Sequence, residues 1–92
     1  MKKLDEIISI FKKRNLLKKY RLNNAGIFGS ILYTDQANDI DILISDFSDY
    51  KDLIGLKTEL EEATEKSADI VISKYASPII LRRAKKDIRY VT

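Results

Sequence analysis

Three apolar runs of strand length punctuate this chain, and they limit what it can fold into. Residues 25–28 read Ala-Gly-Ile-Phe, 39–45 read Asp-Ile-Asp-Ile-Leu-Ile-Ser and 69–73 read Asp-Ile-Val-Ile-Ser. The last two are rich in β-branched residues, as strands prefer. The intervening segments carry the helical period instead. Leu4, Ile7, Ile8 and Phe11 share a stripe over residues 2–14, with helix in some form continuing toward Tyr20 until Asn23 and Asn24 break the pattern. Leu53, Leu56, Leu60 and Ala63 do the same over 49–66, leaving Glu59, Glu61, Glu62 and Glu65 to water. A short helical turn fits 30–34. Ser77-Pro78 predicts a capped helix running to about Lys86, with Ile88–Val91 as a further short strand. Strands separated by helices within 92 residues predict one domain over 1–92. The expected class is α/β (α+β), a small mixed sheet of three to four strands with helices packed on it.

The chain has no cysteine and no histidine. Disulfides, thiol nucleophiles, Cys/His zinc sites and imidazole acid–base catalysis are therefore excluded. Any chemistry falls to carboxylates, amines, hydroxyls or backbone dipoles, and any metal to a hard cation held by oxygen. The formal charge of +3 conceals a strong segregation. Residues 1–24 hold eight basic side chains against two acids, and residues 73–92 hold six against one. The centre, 25–72, holds three against eleven, a net −8. No membrane span or targeting segment is expected, and a cytoplasmic location is the default.

Candidate chemistry lies in the acidic centre. Gly29-Ser30 follows the first apolar run directly, where a glycine permits a tight turn and a close approach of phosphate to backbone amides. In Asp39-Ile40-Asp41, residues i and i+2 share one face of a strand, so both carboxylates point one way while Ile40, Ile42 and Ile44 point to the core. Their Cα atoms should lie about 6.5–7 Å apart. Two carboxylates so placed repel each other, which raises a pKa unless a cation intervenes. Mg²⁺ relieves such repulsion and favours carboxylates combined with substrate phosphates. Asp69 opens the third run and joins the other two if that strand lies beside 39–45.

Together these features resemble the DNA polymerase β-like nucleotidyltransferase superfamily. The likeness is to the minimal nucleotidyltransferase (MNT) domain, the antitoxin half of HEPN–MNT toxin–antitoxin pairs. It runs from the basic leading helix through FGS (28–30), DIDILI (39–44) and ADIVIS (68–73) into SPIILRRAKKDIRYV (77–91). The resemblance implies a nucleotidyltransferase fold, with Gly29 and Ser30 holding a nucleotide triphosphate and Asp39 and Asp41 binding Mg²⁺. It further implies that Asp69 helps bind the metal or acts as base. The implied reaction moves AMP from ATP to a hydroxyl, such as a tyrosine, of a HEPN-like toxin held in a hetero-oligomer. The spacer Ile31–Asn38 is shorter than is usual in that family. Ile31-Leu32-Tyr33-Thr34 replaces its small-Arg-Gly element, and Asn38 stands where serine is usual.

That altered spacer motivates an alternative, an antitoxin with weak or no catalysis that neutralises its toxin by binding alone. A nucleic-acid-directed role using the basic ends is a third reading, but the −8 centre opposes it, and nucleic acid is not expected as a direct partner. Tyr20, Tyr33, Tyr50, Tyr75 and Tyr90 are scattered and expected to pack at least in part, and Phe28 to join the core.

Overall fold

The computed structural model describes residues 3–91. Met1, Lys2 and Thr92 fall outside it, including the expected helix start at residue 2. Helix α1 spans Lys3–Lys13 and buries Leu4, Ile7 and Phe11. Its acids, Asp5 and Glu6, sit in the first turn and Lys12 and Lys13 in the last, both complementing the helix dipole. Helix does not run unbroken toward Tyr20. Asn15 adopts a left-handed conformation (φ 52°) and starts a separate turn, α2, Leu16–Lys19.

Strand β1 is Gly26–Phe28, β2 is Asp39–Ile44, β3 is Ser67–Ile72 and β4 is Arg89–Tyr90. A 3₁₀ turn at Ser30–Leu32 follows β1, as the sequence suggests. Helix α3, Tyr50–Thr64, begins where the Asp49 side chain accepts from the Lys51 amide and ends at Glu65, which is left-handed (φ 58°). That early stop lets β3 begin at Ser67, so Asp69 is its third residue rather than its first. Helix α4, Pro78–Lys86, is capped by Ser77, whose hydroxyl accepts from the Ile80 amide, with proline in the first turn.

The sheet order is β3-β2-β1-β4. β1 runs antiparallel to β2 and β4, while β2 and β3 run parallel. This is the expected mixed sheet, with four strands. Ile40, Ile42 and Ile44 are fully buried on the face that also receives Ile7, Phe11, Leu56 and Leu60. Burying each such side chain is worth about 1.5–3 kcal/mol. The alternate residues of β2, including both aspartates, face the other way.

Three expectations about side chains are corrected. Phe28 is half-buried on the aspartate face, and Ile27 is the core residue of β1. Tyr33 and Tyr75 are exposed (72% and 66%): Tyr33 directly follows the 3₁₀ turn after β1, and Tyr75 ends the 3₁₀ turn after β3. Glu59 does not simply face water. Its carboxylate accepts from Lys19 Nζ at 2.7 Å, Tyr20 Oη at 2.6 Å and Arg14 at 3.4 Å. The Tyr20 ring lies over Gly55, where any side chain would collide with it. Arg21 Nη2 adds an ion pair to Asp52 at 2.8 Å, so the segment after α1 is fastened to α3.

β3 is an edge strand, and α3 covers part of that edge. The Ser67 amide donates inward to the Asn38 carbonyl at 3.0 Å, so the backbone groups of Ala68, Ile70 and Ile72 point outward. At Ala68 both are occupied. Its amide donates to Glu61 Oε2 at 2.9 Å and its carbonyl accepts from Lys57 Nζ at 2.5 Å.

Candidate active site

The register of the sheet assembles the acidic centre. Asp41 in β2 is the Cα partner of Phe28 in β1 and of Asp69 in β3. Paired residues of adjacent strands present their side chains on one face. Asp39, two residues earlier on β2, is on that face too. All three predicted carboxylates thus lie on the face opposite the main core, and the turn at Gly29 leaves β1 beside them.

Gly29 has φ 85° and ψ −160°, a conformation that side chains other than hydrogen rarely allow. A Cβ there would also collide with Asp41 Oδ2. Two independent demands therefore select glycine: the backbone angle and the space held by the Asp41 carboxylate. Ser30 is exposed and opens the 3₁₀ turn, where its carbonyl accepts from the Tyr33 and Thr34 amides. The Tyr33 hydroxyl then donates to Asp87 at the end of α4, tying the 31–38 spacer to that helix.

Asp41 is half-buried, and its carboxyl is pushed above the usual carboxylate range. Burial is the larger cause, followed by the charges of Asp69 and then Asp39. Among the described residues, none of the three aspartates forms an ion pair. Nor is any group of three carboxylates among them gathered closely enough to hold a metal ion as it stands. The donor set nevertheless suits Mg²⁺, which takes one or two protein carboxylates and completes its shell with substrate phosphates and water. Asp39 and Asp41 provide such a pair on one strand face.

No protein-family model matches the chain. Two proteins of Methanocaldococcus jannaschii, each named a putative protein adenylyltransferase, are 31% and 32% identical to it over 98 residues, covering 99% of this chain and all of each relative. A third from that organism, with the same name, is 37% identical over 73 residues, covering 74% of this chain and 77% of the relative.

The chain belongs to the minimal nucleotidyltransferase (MNT) family of protein adenylyltransferases.

Solved structures agree with this MNT assignment. The chain is similar to one chain of a toxin–antitoxin crystal structure with AMP-PNP, with a TM-score of 0.66 and 25% identity, covering 88% of this chain and 70% of that one. It shares its fold with a chain of a Shewanella oneidensis structure of a tri-AMPylated HEPN toxin in complex with MNT antitoxin. There the TM-score is 0.65 at 23% identity, with 100% of this chain and 72% of that one covered.

Sequence reasoning missed two features of the site's surroundings. One is the Lys57 and Glu61 cover over Ala68, carried by an i, i+4 pair that reads as an ordinary solvated face. The other is a groove of about 360 Å³ lined by Tyr50, Ile54 and Ile70 together with Asp69 itself. Its signal was present in Ile54, an isoleucine placed off the Leu53–Leu56–Leu60 stripe. A larger concavity of about 520 Å³ lies away from the carboxylates, between the start of α1, the spacer and Arg89. Among the described residues, no helix is long and apolar enough to cross a membrane.

Proposed function

We propose that this MNT chain is an antitoxin that transfers AMP from ATP to a tyrosine hydroxyl of a HEPN-type toxin in the cytoplasm, acting as one domain within a hetero-oligomer. The observation that carries the reading is the shared register of Asp39, Asp41 and Asp69 beside a turn that only glycine can make. Gly29 lets the Asp41 carboxylate lie against the turn that holds the triphosphate, and the exposed Ser30 hydroxyl hydrogen-bonds that group. Asp39 and Asp41 hold Mg²⁺. When bound, that ion neutralises charge on the phosphates of the nucleotide. Asp69, the exposed carboxylate nearest the open edge of the sheet, takes the proton of the attacking hydroxyl. The hydroxyl oxygen forms a bond to the α-phosphorus in line with the departing oxygen, the bond from the α-phosphorus to the bridging oxygen breaks, and pyrophosphate leaves.

The test is label transfer from α-labelled ATP to a HEPN-type partner in the presence of Mg²⁺. Transfer by the wild type that vanishes in Asp39→Ala and Asp41→Ala is expected. Transfer that survives either substitution overturns the site. A second reading, neutralisation by binding alone, is favoured by the short 31–38 spacer and the ungathered carboxylates. Full protection from the toxin by a chain with all three aspartates replaced would select it.

A further inference from the structure

β3 is the outermost strand of the sheet, and among the described residues no strand lies beyond it. The alternation fixed by Ser67 directs the amides and carbonyls of Ile70 and Ile72 outward. Glu61 and Lys57 occupy the outward groups of Ala68 and stop there, so the first half of the edge is covered and the second half is open. A row of open backbone donors and acceptors is a template for another extended segment. A helix has no free backbone groups to offer it.

The two faces of this open half differ chemically. The side chains of Ile70 and Ile72 lie on the α3 side, where Tyr50, Leu53 and Ile54 complete a mostly apolar groove that Lys57, already bonded to the Ala68 carbonyl, also lines. Ile54 is 63% exposed, and Tyr50 is exposed too. The side chain of Asp69 belongs to the opposite face, with Asp41 as its neighbour. Successive residues of a strand laid along this edge alternate between the two faces. A residue directed to the carboxylate face therefore has both of its sequence neighbours directed to the apolar groove.

We propose that the acceptor segment of the partner protein adds to the open half of β3 as an extended strand, its hydroxyl residue beside Asp69 and an apolar residue immediately before and after it. This rests on the transfer reading above and gives that reading a sequence preference, apolar–hydroxyl–apolar. The adjacency of groove and carboxylate is what selects this occupant: Asp69 borders the groove while its side chain belongs to the opposite face, so a segment along the edge reaches both.

The probe is a capped Gly-Val-Tyr-Val-Gly peptide titrated into the ¹⁵N-labelled chain without nucleotide. Its counterpart carries aspartate in place of both valines. The valine peptide is expected to shift the Ile70 and Ile72 amides and slow their exchange, with binding at least about tenfold tighter than the aspartate peptide. Ile70→Pro removes a donor that points away from the sheet, a place where edge strands accept proline, and should abolish the binding. Ile54→Lys, at an exposed position, should weaken both peptide binding and AMP transfer to the whole partner. The proposal is overturned if the peptide fails to bind or shifts other amides, or if the two peptides bind alike. It is equally overturned if both variants label the partner at the wild-type rate. A wild type that labels no acceptor counts against the transfer reading alone, since the amide shifts judge the docking separately.

Discussion

Asp41 and Asp69 are Cα partners on adjacent parallel strands, and the charge of Asp69, after burial, holds the Asp41 carboxyl above its usual range. An acid with a raised pKa opposes folding while ionised. The opposition is full above the raised pKa, shrinks as pH falls through it, and is gone below the unfolded value of 3.8. Asp41→Asn should therefore melt no lower than wild type at pH 7, while transfer falls by about 10²-fold or more. Urea midpoints should show the two proteins converging as the pH is lowered to 3.5.

The same repulsion predicts that a bound cation stabilises the fold. Mg²⁺-ATP at about 100 times its dissociation constant should stabilise the chain by about 2.7 kcal/mol. Chelation of the metal or Asp39→Ala should remove the gain. Differential scanning fluorimetry with ATP, with Mg²⁺ and with both separates the contributions.

Gly29→Ala meets both an unfavourable backbone angle and the Asp41 carboxylate. The angle alone should cost about 1–3 kcal/mol. Combining Gly29→Ala with Asp41→Gly should recover the steric part but not the backbone part. A chemical-denaturation double-mutant cycle measures the coupling directly.

Glu59 accepts from three donors, Arg14 in the turn after α1, Lys19 on α2 and Tyr20 just after it, with Lys19 foremost, and its pKa is lowered to about 2. Glu59→Gln should cost about 1–2 kcal/mol at pH 7, taking each pair as a partly exposed one. The lowered pKa places this stability fully above pH 4.5 and removes it as pH falls toward 2. Wild type and variant should thus differ in urea midpoint at pH 7 and nearly coincide at pH 2.

The elements, and the shared strand face of Asp39 and Asp41, are legible in the sequence because strand and helix periods are local properties. Ile40, Ile42 and Ile44 announce a buried face, and Asp39 and Asp41 are bound to share the other. That Asp69 stands opposite Asp41, and not Asp39, depends on where α3 stops. The left-handed Glu65 decides this, and nothing in Thr64-Glu65-Lys66 marks it. The role of Glu59 was hidden for a related reason. Its partners lie 39–45 residues away, and a glutamate on a helix reads the same whether it meets water or three donors. The exposure of Tyr33 and Tyr75 is not legible in the sequence because aromatic content says nothing about which turns project outward.

The strands of this sheet are of very unequal security, and the carboxylates ride on the well-paired ones. β2 is paired along all six residues to β3 and along three to β1, whereas β4 contributes only two pairings at the far edge. Transient opening should therefore begin at the C-terminal margin and spread inward. Asp39 and Asp41 sit on the last segment to come apart, so fraying of β4 and α4 need not disturb their spacing. A partner that pulls on the basic C-terminal helix would deform the molecule at its weakest seam and leave its chemical centre in register.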